Sequence, residues 1–317
     1  MPRLTFLALA AWLKRHTSIK DSRKGILLEE KLGIYLYVMG QDASLRLTGE
    51  TFRRSTEIVS RAFHEILKTM NDLYLHEVKL PTIETPIPYH IRKSRKFWPH
   101  FKDCIGALDG SHVNAHVPTD RQGSYRNRKG QLTQNVLAVC NFDMLFTYIL
   151  AKWESTANDA RVLQDAQLRG FEALPSKYFL ADAGYSNSSL TMTPYRGVKY
   201  HLKEQARSRL KSQNKEELFN LRHASLRNVI ERQFGVFKRC FKIIRTALEF
   251  PLSIQTRLIY ALIGLNNFIT RNNIVPDLYQ IDLDPKELIQ DSILDTLPFE
   301  PDSPVMDGIR EAIASQM

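Results

Sequence analysis

One stretch constrains the fold of this chain more than any other. The apolar run CIGALDGSHVNAHV, residues 104–117, carries a lone aspartate, Asp109, followed at once by Gly110. Such a run predicts a buried strand, yet a carboxylate is rarely buried without a partner. A second apolar run, KYFLADAGY, ends in Asp182, again followed by a small residue and a glycine. The fold must therefore supply a partner for two carboxylates at strands.

A third acid, Glu231, lies in LRNVIERQFGVFKRCF, whose apolar residues recur at helical spacing. Carboxylates brought close together repel, and their pKa values rise unless a cation neutralises them. Mg²⁺ prefers oxygen ligands, and two such ions about 3.5–4 Å apart serve phosphodiester cleavage. Asp109, Asp182 and Glu231 are therefore the candidate catalytic, metal-binding residues for Mg²⁺ or Mn²⁺. Taken singly, each acid has a plainer explanation: a hairpin turn at Asp109, a loop cap at Asp182, or a surface ion pair at Glu231.

The element pattern around these acids predicts an α/β domain over residues 104–276. Three consecutive β-type runs start at residue 104, and a helix follows in NDARVLQDAQLRGF, with Asn158 or Asp159 as its cap. KYFLADAGY is a fourth strand, PYRGVKYHLKE is a candidate fifth, and helices complete the region. Strands, a helix, a strand and further helices indicate a mixed sheet flanked by helices.

Residues 1–80 are predicted to be all-helical. LEEKLGIYLYVMG is a helix that Gly40 ends, and a short helix and a longer one, capped at Ser55, follow. This succession is typical of a helix-turn-helix unit, with Arg53, Arg54 and Arg61 as DNA contacts, and equally of a plain helical bundle.

The charge distribution favours a polyanionic partner. The chain of 317 residues has net charge +10, and its segment 277–317 carries ten acidic and two basic residues, which leaves +18 on the remainder. A basic body with an acidic tail favours nucleic acid. Residues 81–103 form a basic connector, and further candidate phosphate contacts are Arg126, Arg128, Lys129 and Lys238. The tail could fold back on the basic groove, recruit a partner or remain disordered.

Two further features bear on where the protein acts. Three cysteines at no metal-ligand spacing favour a reducing compartment, the cytoplasm or nucleus. No apolar stretch reaches the roughly 18 residues that span a bilayer, so no membrane association is expected.

The segments GALDGSHV, LADAGYSNSSLTMTPYRGVKYHL and LFNLRHASLRNVIERQFGVFKRCFKII resemble the catalytic motifs of PIF/Harbinger-type transposases and the nucleases derived from them, a branch of the DDE superfamily. The resemblance covers roughly residues 5–275. It implies a ribonuclease H-like fold in which Asp109, Asp182 and Glu231 form a metal-binding triad that would hold two divalent ions. It also implies cleavage of DNA followed by transfer of its 3′-OH ends. It also implies nuclear localisation, a separate Myb-like DNA-binding partner and a homo-oligomer.

The sequence departs from that family at Ala181 and at Ser186-Asn187, although the three acids are retained. The alternative function is a transposase-derived DNA-binding or scaffold protein without nuclease activity. His112 is interpreted as a histidine with its hydrogen bonds satisfied in the core or at its rim. Asp159 resembles a family acid, but helix capping explains its presence adequately.

Overall fold

The structure is a computed structural model that describes residues 1–21, 25–198, 214–247, 249–272 and 301–317. Within these ranges one mixed sheet has the order β3-β2-β1-β4-β5. The strands β1, β2 and β3 are antiparallel neighbours, whereas β4 runs parallel to both β1 and β5. The strands are β1 Cys104–Asn114, β2 Thr133–Cys140, β3 Phe146–Glu154, β4 Tyr178–Leu180 and β5 Thr191–Met192. This topology, flanked by helices, confirms the predicted ribonuclease H-like α/β class.

The helices occupy both ends of the chain and the sheet's two faces. They are α1 Arg3–His16, α2 Leu28–Gln41, α3 Leu45–Phe52, α4 Thr56–Glu77, α5 Tyr89–Lys93, α6 Gln122–Tyr125, α7 Asp159–Leu168, α8 Lys215–Cys240, α9 Leu252–Asn272 and α10 Pro304–Ser315. None of the helices in the described ranges combines the length and apolarity needed to cross a bilayer.

Side-chain caps fix where several helices begin. The Ser55 hydroxyl accepts a hydrogen bond from the Ile58 amide at the start of α4, as predicted. At the start of α7 the cap is Asn158, whose side chain accepts from the Ala160 amide at 3.0 Å. This cap leaves the neighbouring Asp159 carboxylate available for other contacts.

Two predicted boundaries are wrong. Gly40 does not end α2, which continues to Gln41 and is terminated by Asp42 in the left-handed conformation, with φ 58°. The polar side chain of an aspartate makes this conformation accessible. The fifth strand lies at Thr191–Met192, before the predicted segment, because it pairs directly with β4. Residues 199–204 of the predicted segment lie outside the described residues.

The two faces of the sheet support two hydrophobic clusters. On β1, Ala107 belongs to the larger cluster, which also includes residues of α8 and α9, whereas Leu108 belongs to the smaller cluster that includes residues of α7. Successive residues of a strand point to opposite faces. By this alternation Asp109 faces α8 and Gly110 faces α7.

The N-terminal helices share the larger cluster with the sheet. Helix α4 packs along α9, where Tyr74 and Tyr260 make an edge contact and Phe63 stacks on Phe250 with ring centroids 5.3 Å apart. The helices α2, α3 and α4 follow one another with short turns, as predicted for residues 1–80. The boundaries at residues 80, 103 and 276 stay predictions, and the packing shows that the N-terminal helices are part of one continuous core.

The α4–α9 contact leads to a testable prediction at Gly264. A Cβ atom there would lie 2.6 Å from the Tyr74 Cα atom, a backbone position that cannot move aside locally. Gly264→Ala is therefore expected to lower the free energy of unfolding by about 1–3 kcal/mol, measured by denaturant unfolding. Gly40→Ala is the matched control, because its helical site is open within 4 Å and alanine should stabilise the helix by up to about 1 kcal/mol. Equal effects of the two substitutions would contradict the prediction.

The described part of the predicted acidic tail is an ordered, docked element. Residues 301–317 contain α10, which contacts α8 and contributes Met306, Ile313 and Ala314 to the larger cluster. Residues 277–300 lie outside the described residues. The last part of the tail therefore docks on the loop after β4 and on α8, and its folding back on a basic groove stays a prediction.

Candidate active site

Asp109 and Asp182 lie side by side because of the strand register. Leu180 at the end of β4 pairs with Ala107 of β1, and the two aspartates each follow two residues later on adjacent parallel chains. Asp109 lies inside the strand, paired with Ala138 of β2, so the hairpin-turn explanation is wrong. The Asp182 Oδ1 atom accepts a hydrogen bond from the Gly184 amide at 2.7 Å, which holds the turn after β4.

Glu231 joins this pair through one arginine. Arg227 and Glu231 are one turn apart on α8. The Arg227 guanidinium donates through Nη1 to the Asp109 Oδ2 atom at 3.3 Å and through Nη2 to Glu231. The two terminal nitrogens of one side chain therefore link the strand acid to the helix acid. Glu231 is therefore in an ion pair, but that pair lies in the site and not on a solvated surface.

Asp159 is a fourth acid of the site that sequence reasoning assigned to helix capping. Its carboxylate packs against Gly110, where an added Cβ would lie 2.5 Å from Oδ1, and it accepts a hydrogen bond from the Asn135 side chain at 2.8 Å. Only glycine at position 110 therefore lets this acid approach the strand beside Asp109. Its resemblance to a family acid was the one signal in the sequence that could have placed Asp159 in the site.

The electrostatics of the cluster follow from burial and from an excess of acids. Asp109 is 7% exposed, and its burial raises its pKa well above the ordinary value, opposed by Arg227 and reinforced by the charges of Asp182, Asp159 and Glu231. Burial also raises the pKa of Asp159, and the Asp182 charge adds to this effect. The charges of three other carboxylates thus act on Asp109, and one guanidinium, that of Arg227, opposes them, an excess of negative charge that favours binding of a further cation.

The oxygen atoms left without hydrogen bonds also suit a hard cation. The Tyr185 hydroxyl is buried without a hydrogen-bond partner. Burial is the largest cause that raises the pKa of this phenol, and the charges of Asp159, Asp109 and Asp182 raise it further. The Asn135 Oδ1 atom beside Asp159 is likewise unpartnered. Carboxylate, amide and hydroxyl oxygens are the donors that Mg²⁺ and Mn²⁺ accept. In the described ranges as they are placed, however, no three acidic, histidine or cysteine side chains converge closely enough to hold an ion, and Arg227 lies between Asp109 and Glu231.

The basic loop between β1 and β2 borders the cluster. Burial raises the pKa of Asp159 and lowers that of His112; the charge of the exposed Arg128 opposes the first shift and adds to the second, so its guanidinium is within electrostatic reach of both groups. Arg126 and Lys129 are also exposed, and Arg126 donates to the Gly130 carbonyl at 2.7 Å. Their role as DNA contacts stays a prediction.

The other predicted DNA contacts lie in three different settings. Lys238 is half-buried and donates to the Ser111 hydroxyl at 2.8 Å and to the His112 carbonyl. Arg54 makes a two-pronged ion pair with Glu30, and the exposed Arg61 pairs with Glu57. Arg53 is exposed beside α3. The structure brings none of these three N-terminal arginines into the acid cluster.

His112 has its hydrogen bonds satisfied, as interpreted from the sequence. Its Nδ1 atom lies 3.0 Å from the Thr133 hydroxyl and 3.2 Å from the Ser155 hydroxyl. Burial, with the nearby charges of Lys238 and Arg128, lowers its pKa. The His112 ring therefore has a structural role: it ties β1 to Thr133 of β2 and to Ser155.

A ribonuclease H-like sheet with carboxylates at the centre of β1, just after β4 and on a following helix defines the nuclease class of DDE proteins. The comparison of families agrees: the model described as DDE superfamily endonuclease matches residues 108–267. The chain belongs to this family. Residues 1–72 match a second family that is described only as a domain of unknown function.

The chain is also similar to several curated proteins. The chain is 23% identical over 284 residues to "Protein ALP1-like" of Arabidopsis thaliana, an alignment that covers 83% of this chain and 66% of that protein. It is 28% identical over 169 residues to "Putative nuclease HARBI1" of Bos taurus and of Homo sapiens, covering 51% of this chain and 45% of each relative. The chain thus spans just under two thirds of the first relative and less than half of the others. No solved structure matches the chain.

Proposed function

We propose that this protein is a metal-dependent DNA endonuclease and transposase that cleaves phosphodiester bonds and transfers 3′-OH ends by a two-metal mechanism. The observation that carries the proposal is that the β1–β4 register sets Asp182 beside Asp109 while Arg227 links Asp109 to Glu231, in a chain of the DDE superfamily endonuclease family. That superfamily generally uses divalent metals, and a nuclease of this family implies DNA as the substrate.

Each side chain of the cluster has a distinct role in this proposal. Asp109 and Asp182 would hold one divalent cation, Mg²⁺ or Mn²⁺, and Glu231 would complete the site of a second. Such ions, when bound, lower the pKa of an attacking water or hydroxyl and neutralise charge on the phosphate. Asp159 places a further negative charge beside Asp109, and Arg227 balances the acids when no metal is bound.

The surroundings of the cluster suit a DNA strand. Arg128, at the edge of the acids, is positioned to contact a backbone phosphate, and Arg126 and Lys129 extend the same exposed loop. Arg53, Arg54, Arg61 and Lys238 remain proposed DNA contacts. We further propose nuclear localisation, a separate Myb-like DNA-binding partner and a homo-oligomer, all of which rest on the family resemblance.

The activity itself is directly testable. The purified protein is expected to convert supercoiled plasmid to the nicked form in Mg²⁺ or Mn²⁺ and to lose this activity completely in EDTA, because the acids alone cannot activate the attacking group. Agarose-gel quantification of the nicked fraction over time is the measurement. Folded protein that fails to nick with either ion would favour the alternative of a DNA-binding or scaffold protein.

A further inference from the structure

A group of cationic side chains lies on the side of α8 that faces away from the acid cluster. Arg222 precedes Glu231 by nine residues, which is about two and a half helical turns and so places it on the opposite side of the helix. The basic connector packs here: Lys96 donates to the Ser225 hydroxyl at 2.9 Å, and Ser225 lies one turn after Arg222. His100 follows Lys96 by four residues in the same connector.

Two nitrogen atoms in this group are buried without a hydrogen-bond partner. These are the Arg222 Nη1 atom and the His100 Nδ1 atom. A buried donor that is left unpaired costs about 1–3 kcal/mol, and more when it carries charge, so such atoms require an explanation. The Ser225 hydroxyl accepts from Lys96 and still has its own hydrogen to donate. The group therefore offers the Arg222 guanidinium, the Ser225 hydroxyl and, in the tautomer protonated at Nδ1, the His100 ring as donors that have no acceptor among the described residues.

The charges of the group are also uncompensated. Burial is the larger cause that lowers the pKa of both Lys96 and His100, and the positive charge of Arg222 lowers both further. Burial alone lowers the pKa of Arg222. Among the described residues, no carboxylate acts on the pKa of any of the three, although carboxylates pair with many other basic side chains of the chain. An anion is the missing component, and an oxyanion with several acceptors matches a fork of donors.

We propose that Arg222, Lys96, His100 and Ser225 bind one phosphate group of the DNA backbone. The assignment to DNA rests on the proposed function. The exposed basic residues Arg92, Lys93 and Arg95 of the same connector continue the positive surface outward from this site. A strand held here would pass along the opposite side of α8 from the acids, so the site anchors DNA away from the reacting phosphate.

The first test uses inorganic phosphate alone and does not depend on nuclease activity. Phosphate is expected to raise the melting temperature of the wild-type protein above that in chloride at equal ionic strength, because a ligand bound only by the folded state stabilises it. Lys96→Gln and Arg222→Gln should abolish this increase, whereas Arg15→Gln, at an exposed position on α1, should preserve it. An identical phosphate response in all four proteins would overturn the site, and so would no response in the wild type.

The second test measures binding of a fluorescent DNA duplex in EDTA, so that no cleavage occurs. Each variant is expected to bind roughly five- to tenfold more weakly at about 0.1 M salt, and the slope of log affinity against log salt should fall by about 0.9, the loss of one phosphate contact. The double variant should bind little more weakly than the weaker single variant, because both side chains hold one phosphate. A lost phosphate response with unchanged DNA affinity would overturn the assignment to DNA. Absence of nicking in Mg²⁺ with both expected results intact would refute the proposed function alone.

Discussion

Asp109→Asn is expected to abolish DNA cleavage while leaving the protein at least as stable as the wild type. Asparagine keeps the shape of the side chain but removes the charge by which β1 would hold a divalent cation. The expected loss exceeds the about 100-fold effect of changing an outer partner of a metal ligand. Plasmid nicking in Mg²⁺, with DNA binding measured in parallel, separates lost chemistry from lost binding.

The stability of this variant follows from the pKa of Asp109, which burial raises. A carboxyl with a raised folded-state pKa binds its proton more tightly in the folded state than in the unfolded state. Wild-type stability therefore increases as pH falls from above the folded-state pKa toward the unfolded value. The uncharged variant lacks this dependence, so its advantage, about 1 kcal/mol, should be greatest at neutral pH and shrink on acidification. Arg227 keeps its contact with Glu231 in the variant.

The control for Asp109→Asn is Asp143→Asn, because Asp143 is an exposed acid in the turn between β2 and β3. It should leave nicking and stability unchanged. Mg²⁺ should raise the melting temperature of the wild type and of the control but not of Asp109→Asn, since only a retained metal site links the ion to folding. Nicking by purified Asp109→Asn at the wild-type rate would refute the assignment of this acid.

The positions of the strand acids could be predicted because they interrupt strong local patterns. A charge inside a run such as CIGALDGSHV conflicts with burial, and that conflict is visible in the sequence alone. The strands around Asp109 and the helix that carries Glu231 formed where their periodicity indicated. Which strands become neighbours is not encoded locally, so the parallel β1–β4 pairing that sets Asp182 beside Asp109 is known only from the structure.

Asp159 and α10 show what local patterns miss. Asn158 and Asp159 are both good helix caps, and only the approach to Gly110 in three dimensions distinguishes the cap from the fourth acid. The segment PVMDGIREAIAS has a proline at its first helical position and an amphipathic pattern, both signals of a helix. Because residues 277–317 are strongly acidic, the segment is interpreted from its sequence as a tail and not as a helix. No local pattern identifies the surface on which such a helix docks.

Arg310 of α10 is expected to be a stabilising residue of the whole C-terminal contact. The residue is 9% exposed, and its guanidinium donates to the Thr193 and Pro194 carbonyls. The Arg310 Cζ atom lies 4.5 Å from the centroid of the Tyr195 ring, over which the guanidinium stacks. It also donates to Asp307 at 2.7 Å. Arg310→Ala leaves the buried Thr193 and Pro194 carbonyls without this donor and Asp307 without its cation, which costs about 2–4 kcal/mol.

The same contact reaches the loop that follows Asp182. Asp307 accepts hydrogen bonds both from Arg310 and from the buried Asn187 side chain, at 2.8 Å in the second case. The Asn187 backbone is held by Asp302 and by the Ser303 amide. Helix α10 therefore fixes the chain five residues after a candidate catalytic acid, so loosening of α10 should disturb the position of Asp182.

Arg310→Ala is accordingly expected to lower the free energy of unfolding, to increase hydrogen exchange in residues 183–195, and to reduce nicking more than it reduces DNA binding. Arg310→Lys should recover little, because an ammonium group cannot form the guanidinium's planar fork or its stack on Tyr195. Val305→Ala on the exposed side of α10, 72% exposed, is the matched control and should change stability by less than about 0.5 kcal/mol. If Arg310→Ala unfolded at the wild-type denaturant midpoint with unchanged exchange in the loop, α10 would be a passive attachment that does not position Asp182.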